Sequence, residues 1–324
     1  MRGVAAVLLL VTTACTPTSL DDPSSTSAQA STSTTSAPIG WVEVAPMSIA
    51  RSEHPGVVLN GEIVVAGGFI EVGVGRTGVT DTIEAYTPES DTWRDLPALP
   101  EPRHHGMAAV VADRLFVIGG YSVLGDATST VWELVDVQWV ERSLLPGPVA
   151  AGAAVVLDDS IYVVGGTPDG GLSRYDVAEN LWTSFLGPGL QREHVAAVAF
   201  EDEIWAIAGR WQGDIFNTTE IFDPVAGSWR SGPSLNDARS GFGAAVIDGG
   251  IVVAGGEVLE PDEALSTVER FDASNGEWSF IDPLSHGLHG NPLVVVGSNL
   301  YLPGGSTRAA AIENDGRSYR LSFG

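Results

Sequence analysis

The chain has 324 residues, with 16 basic and 41 acidic side chains and a formal net charge of −25. Every basic residue is arginine and the single cysteine is Cys15, which excludes intramolecular disulfides, cysteine-clustered zinc or iron–sulfur centres and all lysine chemistry. A surface this acidic repels phosphate, so no nucleic-acid partner is expected.

Residues 1–14 read as an export signal. Arg2 supplies the charged start, and Val4 to Val11 form an apolar run too short to cross a bilayer. Ala14-Cys15 resembles the cleavage site of bacterial lipoproteins, in which the cysteine is lipidated and becomes the new N-terminus. That family carries leucine where Thr12 stands, so plain secretion is the alternative. Residues 15–40 form a tether. Thirteen of the 25 residues from Thr16 to Gly40 are Ser or Thr, a composition that cannot bury enough apolar surface to fold. As a flexible coil it spans roughly 25–30 Å. The expected location is the bacterial cell envelope or surface, with the membrane touched only through a lipid on Cys15.

From Trp41 onward the chain repeats. Apolar runs end in a small-residue pair six times: Gly67-Gly68, Gly119-Gly120, Gly165-Gly166, Ala208-Gly209, Gly255-Gly256 and Gly304-Gly305. The mean step is about 47 residues, in the range of propeller blades. Trp93, Trp139, Trp182, Trp229 and Trp278 each follow an aromatic residue by seven places: Tyr86, Trp132, Tyr175, Phe222 and Phe271. Turn formers lie between, which predicts a hairpin. A second hairpin precedes each small pair, as at Val57 to Ala66 around Asn60-Gly61. Each repeat is thus four short strands, a to d. Strand a is rich in Ala, Gly and Val, as suits the innermost position.

The small pair, the aromatic and the tryptophan seven places on resemble the kelch motif of β-propellers, over residues 41–324. The resemblance implies an all-β, six-bladed propeller with four antiparallel strands per blade. Trp41 has no aromatic before it and Tyr319 no tryptophan after it, so the two are expected to form the sixth pair. The strand around Trp41 then closes the last blade and removes an open edge.

Strand order puts the d-to-a segments and the b-to-c loops on one face. Sixteen places before each small pair stand Arg51, Arg103, Val149, Arg192, Arg239 and Leu288, and all six histidines lie in the same segments. An Arg/His rim follows, with Arg51, Arg103, Arg192, Arg239, His54, His105 and His289 as binding candidates, suited to an anion such as a carboxylate. The competing reading is that these arginines tie neighbouring blades together through backbone carbonyls. Trp211, in the fourth b-to-c loop beside Arg210, fills no structural place and joins the candidates. No metal site is expected, since the histidines show no tight ligand spacing and Glu257, Glu260, Asp262 and Glu263 read as a solvated acidic loop.

These features favour a monomeric, non-catalytic binding module for a protein or glycan, without a cofactor. The kelch resemblance also implies enzyme alternatives. Copper oxidases of the galactose oxidase type carry a cysteine cross-linked to a tyrosine, and the lone cysteine here sits at the anchor. A sialic-acid mutarotase would use Glu193 and His194 as acid and base, with Arg192 on the sugar carboxylate. A structural envelope component is the third reading.

Overall fold

The alternation of apolar strands and tight polar turns produces six antiparallel sheets of four strands each. The computed structural model describes residues 40–74, 76–309 and 313–323. The expected export signal, Cys15 and the tether up to residue 39 lie outside them. In blade 1 the strands are Gly56–Leu59, Glu62–Ala66, Ile83–Thr87 and Thr92–Leu96, in spatial order a, b, c, d. Asn60 and Gly61 join a to b with φ of 52° and 83°. That pair of left-handed residues matches the twist of a two-residue hairpin. Blades 2 to 5 repeat the plan with strands a at Met107–Val111, Ala153–Leu157, Ala196–Phe200 and Gly243–Ile247.

Blade 6 is closed as the sequence implies. Its strands Val294–Val296, Asn299–Pro303 and Ser318–Ser322 come from the C-terminal end, and Val42–Val44 is added outside them. Val42 pairs with Arg320, Glu43 with Tyr319 and Val44 with Ser318. The ring is therefore fastened by three chain-distant residue pairs.

The core lies between blades, where the facing sheets of neighbours bury their apolar sides. One cluster joins Val198 and Ile207 of blade 4 to Ile251 and Phe271 of blade 5. The motif tryptophans add a second tie. The indole N–H of Trp93 donates to Ala45 O, of Trp139 to Pro97 O, of Trp182 to Ser143 O, of Trp229 to Leu186 O and of Trp278 to Pro233 O. Trp41 makes the sixth such bond, to Asp282 O at 3.0 Å. Each acceptor is in the segment that leaves the preceding blade.

Two expectations about aromatic places are corrected. Strand-c residues that face the fourth residue before the small pair are Tyr86, Tyr175, Phe222 and Phe271. In blade 6 that place is Leu321, across from Leu300, while Tyr319 sits two pairs along, across from Leu302. In blade 2 it is Leu134, which also faces Trp139, because the c–d hairpin there is two residues shorter. Trp132 is shifted to another place, with consequences for Arg103.

Candidate site on the propeller axis

The small pairs are tight because the next segment crosses directly over them. A Cβ on Gly67 would come within 2.4 Å of Arg103 O. The N–H of Gly68 donates to that oxygen at 2.7 Å, and the same bond recurs at Gly120, Gly166, Gly209, Gly256 and Gly305. The residue sixteen places before each pair thus holds the preceding blade through its carbonyl.

Its side chain holds the following blade. Arg51 Nη1 donates to Gly67 O at 2.8 Å and Thr82 O at 2.9 Å, and Nη2 meets Glu84 at 2.5 Å. Arg192 repeats this with Ala208 O, Thr218 O and Glu220, and Arg239 with Gly255 O, Thr267 O and Glu269. All three guanidiniums are fully buried. The expected arginine rim is therefore corrected for Arg51, Arg192 and Arg239: they bridge blades and present no donor to a ligand. Arg103 is also buried but differs, because Trp132 occupies the place that Glu84, Glu220 and Glu269 hold in the other blades. Its guanidinium stacks 4.8 Å from the Trp132 ring and turns to Pro102 O and Glu101.

Two residues further along each segment the chain reaches the axis. These residues are Glu53, His105, Ala151, His194, Gly241 and Gly290, all with φ between 46° and 66°. Their backbones form a closed circle. The N–H of His105 donates to Glu53 O, Ala151 to His105, His194 to Ala151, Gly241 to His194, Gly290 to Gly241 and Glu53 to Gly290, at 2.6–2.9 Å. Left-handed backbone disfavours side chains, yet three places carry large polar ones. A cavity of about 180 Å³ adjoins the circle, lined by Glu53, His54, His105 and His194 and by small strand-a residues such as Ala108 and Ala154.

The three side chains converge. His105 Nε2 lies 3.2 Å from Glu53 Oε2 and 2.9 Å from His194 Nε2, and His194 Nε2 is 3.9 Å from Glu53 Oε2. His289 brings Nδ1 within 3.3 Å of Glu53 Oε1 while its Nε2 meets Arg308 O at 2.6 Å. Burial pushes the Glu53 carboxyl up, but His105, His289 and His194 more than reverse this and hold it well below the ordinary carboxylate range. Burial also drives His105 down to about 3 and His54 to about 3. For His289 burial is outweighed by Glu53 and Glu257, which raise it to about 9.

A second layer comes from the residue just after each small pair: Phe69, Tyr121, Thr167, Arg210, Glu257 and Ser306. Each forms an antiparallel bridge with the residue preceding the circle member of its own blade, which in blade 6 is His289. Arg210 is the active cation here. It reaches Glu193 Oε1 at 3.0 Å, Glu257 Oε1 at 2.5 Å and His194 Nε2 at 3.1 Å. On the opposite side of the layer the Phe69 and His104 rings stack at 3.9 Å, beside Tyr121.

Of the sequence candidates, His105, His289, Glu193 and His194 come together at the axis, and His54 lines the cavity beside them. Trp211 stands half-buried in the hairpin of Arg210–Trp211 with Asp214–Ile215. Glu257 leaves the expected solvated acidic loop and is buried against Arg210. Sequence reasoning missed Glu53, Arg210 and Glu257. The signal was available: the circle members stand fourteen places before each small pair, and Arg210 and Glu257 directly after one.

The kelch motif matches at residues 50–100, 191–236 and 238–285, which coincide with blades 1, 4 and 5 and their leading segments. The chain is a kelch-repeat protein. It is 25% identical over 275 residues to the kelch-like protein terF of Aspergillus terreus, covering 82% of this chain and 52% of that protein. It is 25% identical over 295 residues to alpha-scruin of Limulus polyphemus, covering 82% and 32%. Against kelch-like protein 35 of Mus musculus identity is 31% over 238 residues, covering 73% and 32%. This kelch chain thus spans only about a third to a half of the length of these relatives. The solved structure of YjhT superposes with a TM-score of 0.72 at 17% identity, over 85% of this chain and 95% of that one. The likeness concerns the fold.

Proposed function

We propose that this kelch propeller is a non-catalytic binding module, exported and held at the bacterial cell envelope by a lipid on Cys15, whose partner is a protein docking over the b-to-c loops. The observation that carries the reading is the set of aliphatic side chains offered there. Val72 and Val74 in blade 1, and Val123 and Leu124 in the neighbouring blade 2, are between 52% and fully exposed. Aliphatic side chains on adjacent loops of one face gain about 25 cal/mol for each Å² a partner removes from water. With the arginines committed inside the blades, apolar contact replaces the anion recognition that the sequence suggested.

A photo-crosslinking residue at Leu124 in the full-length protein on cells tests the docking face. It should give a protein adduct, whereas one at Val225, on the opposite c-to-d turn, should not; adducts from both or neither would remove the assignment. Cys15→Ser should release the protein into the medium, and retention in the membrane fraction would refute the anchor.

A sugar-isomerising centre of the mutarotase kind is the second reading, favoured by the meeting of Glu193 and His194 with Arg210. It is the weaker one. Burial resists ionisation of Glu193, but His194 and Arg210 hold it at about 2, which makes it a poor base at neutral pH. Arg192, expected to hold the sugar carboxylate, is enclosed in its blade. A glycan ligand would instead use Trp211, and a glycan-array signal abolished by Trp211→Ala would replace the protein partner with a sugar.

A further inference from the structure

The circle on the axis could be built from glycine alone, as it is at Gly241 and Gly290. Glu53, His105 and His194 hold the same left-handed backbone with φ of 52°, 51° and 46°. They come from blades 1, 2 and 4, so no local sequence spacing joins them. We propose that they are a site for a divalent transition metal ion of the zinc class, bound through Glu53 Oε2, His105 Nε2 and His194 Nε2.

The geometry supports this in three ways. First, the three ligand atoms lie within 4.8 Å of one another, with separations of 3.2, 2.9 and 3.9 Å. Ligands at about 2.0–2.2 Å from one ion are separated by such distances when the angles at the metal are roughly 85–140°. Second, the far nitrogen of each imidazole has a neighbour that can orient it. His105 Nδ1 is 2.6 Å from His104 Nδ1, and His194 Nδ1 is 3.6 Å from Glu193 Oε1. A second ring behind His105 fixes the tautomer that directs its Nε2 to the ion, whereas at His194 the ion would displace the Arg210 Nη2 that stands 3.1 Å from Nε2. Third, His289 Nδ1 lies 3.3 Å from Glu53 Oε1 and so can hold the ligating carboxylate from its other oxygen.

The surroundings agree with a cation. Glu53, Glu193 and Glu257 supply three carboxyl groups, with the Arg210 guanidinium paired to the last two. Gly290 is also required by the arrangement, since a Cβ there would lie 2.6 Å from Glu53 Oε1. Two imidazoles and one carboxylate suit zinc, cobalt(II), nickel or iron(II), and not calcium or magnesium, which take oxygen shells. Three protein ligands leave a coordination position toward the adjoining cavity, so the ion would offer a Lewis-acid anchor for a small donor on the axis.

The test uses the untagged full-length chain, stripped with a chelator and titrated with zinc and with cobalt(II). One ion per chain is expected, together with cobalt visible absorption from nitrogen and oxygen ligands and a higher melting temperature. His105→Gln, His194→Gln and Glu53→Gln should each weaken zinc binding at least tenfold, while His286→Gln, whose ring is paired with Asp315, should not. If cobalt gives no ligand-field bands with the wild-type chain, the proposal fails without recourse to any variant. It fails equally if zinc binds with unchanged affinity to His194→Gln, or loses affinity only in His286→Gln. Should one variant not fold, the wild-type cobalt spectrum and the remaining two variants still decide.

Discussion

A guanidinium buried in a β-sheet protein is tolerable only if each donor finds an acceptor and its charge a partner. Arg51, Arg192 and Arg239 place their Nη donors on two backbone carbonyls and one glutamate each, while the Nε of Arg192 and of Arg239 goes without an acceptor. Where the glutamate is missing, the arginine is missing or re-aimed. Val149 accompanies Ser173 in blade 3, Leu288 accompanies Tyr319 in blade 6, and Arg103 lies over Trp132. The four arginines look alike in sequence but are not energetically alike. Glu269→Gln should lower stability by about 3–5 kcal/mol, because it leaves buried Arg239 with only the part-exposed Asp237 carboxylate, 3.8 Å away. Glu101→Gln, whose carboxylate is largely exposed beside Arg103, should change it by under about 1 kcal/mol. Urea unfolding of the two variants measures the contrast, and equal losses would show that Arg103 is held as its counterparts are.

At the scale of strands, blade 2 carries a charge ladder on its outer part. Glu133 on strand c accepts from Arg114 Nε and Nη2 on strand b at 2.7 and 2.9 Å, and from Arg142 Nε just beyond strand d at 2.5 Å. The hydrogen bond from Arg114 outweighs burial, and Arg142 adds to it, so the Glu133 carboxyl is lowered from its ordinary 4.5. A folded-state pKa below the unfolded one means that the ladder stabilises above about pH 4.5 and that this part is lost as pH falls through the folded value. Wild type should therefore melt above Glu133→Gln at pH 7, with the difference shrinking as pH falls below about 4.5 and through the lowered folded value. A gap independent of pH would mean that Glu133 contributes by packing and not by charge.

The ring as a whole was legible because its period is carried by residues with one job each. The small pairs, the tryptophans and the hairpin turns recur, so six blades and the closing strand follow from counting. The axis was harder to read. Its six equivalent places hold Glu, His, Ala, His, Gly and Gly, a set with no common chemistry, and only ring closure shows that they are one feature. Trp132 misled for a related reason: a hairpin two residues shorter kept the seven-place spacing while changing the place it filled.

The backbone circle also makes a demand on the whole molecule. Its six hydrogen bonds come one from each neighbouring pair of leading segments, so none can persist in isolation if the blades separate. Closure depends on Val42–Val44 in blade 6 and on the Trp41 indole bond to Asp282 O. Removing residues 41–45 should lower the melting temperature sharply and open the ring between blades 6 and 1. The amides of Glu53 and Gly290, on either side of that junction, should then exchange with solvent far faster than in the wild type. Those of Ala151 and His194, between blades 2, 3 and 4, should lose less protection, because their neighbours stay joined by intact blades. Hydrogen exchange read at these four amides tests the order. Uniform loss at all four would show that the circle forms or fails as one unit, and unchanged protection at Glu53 would show that the closing strand does not hold the ring.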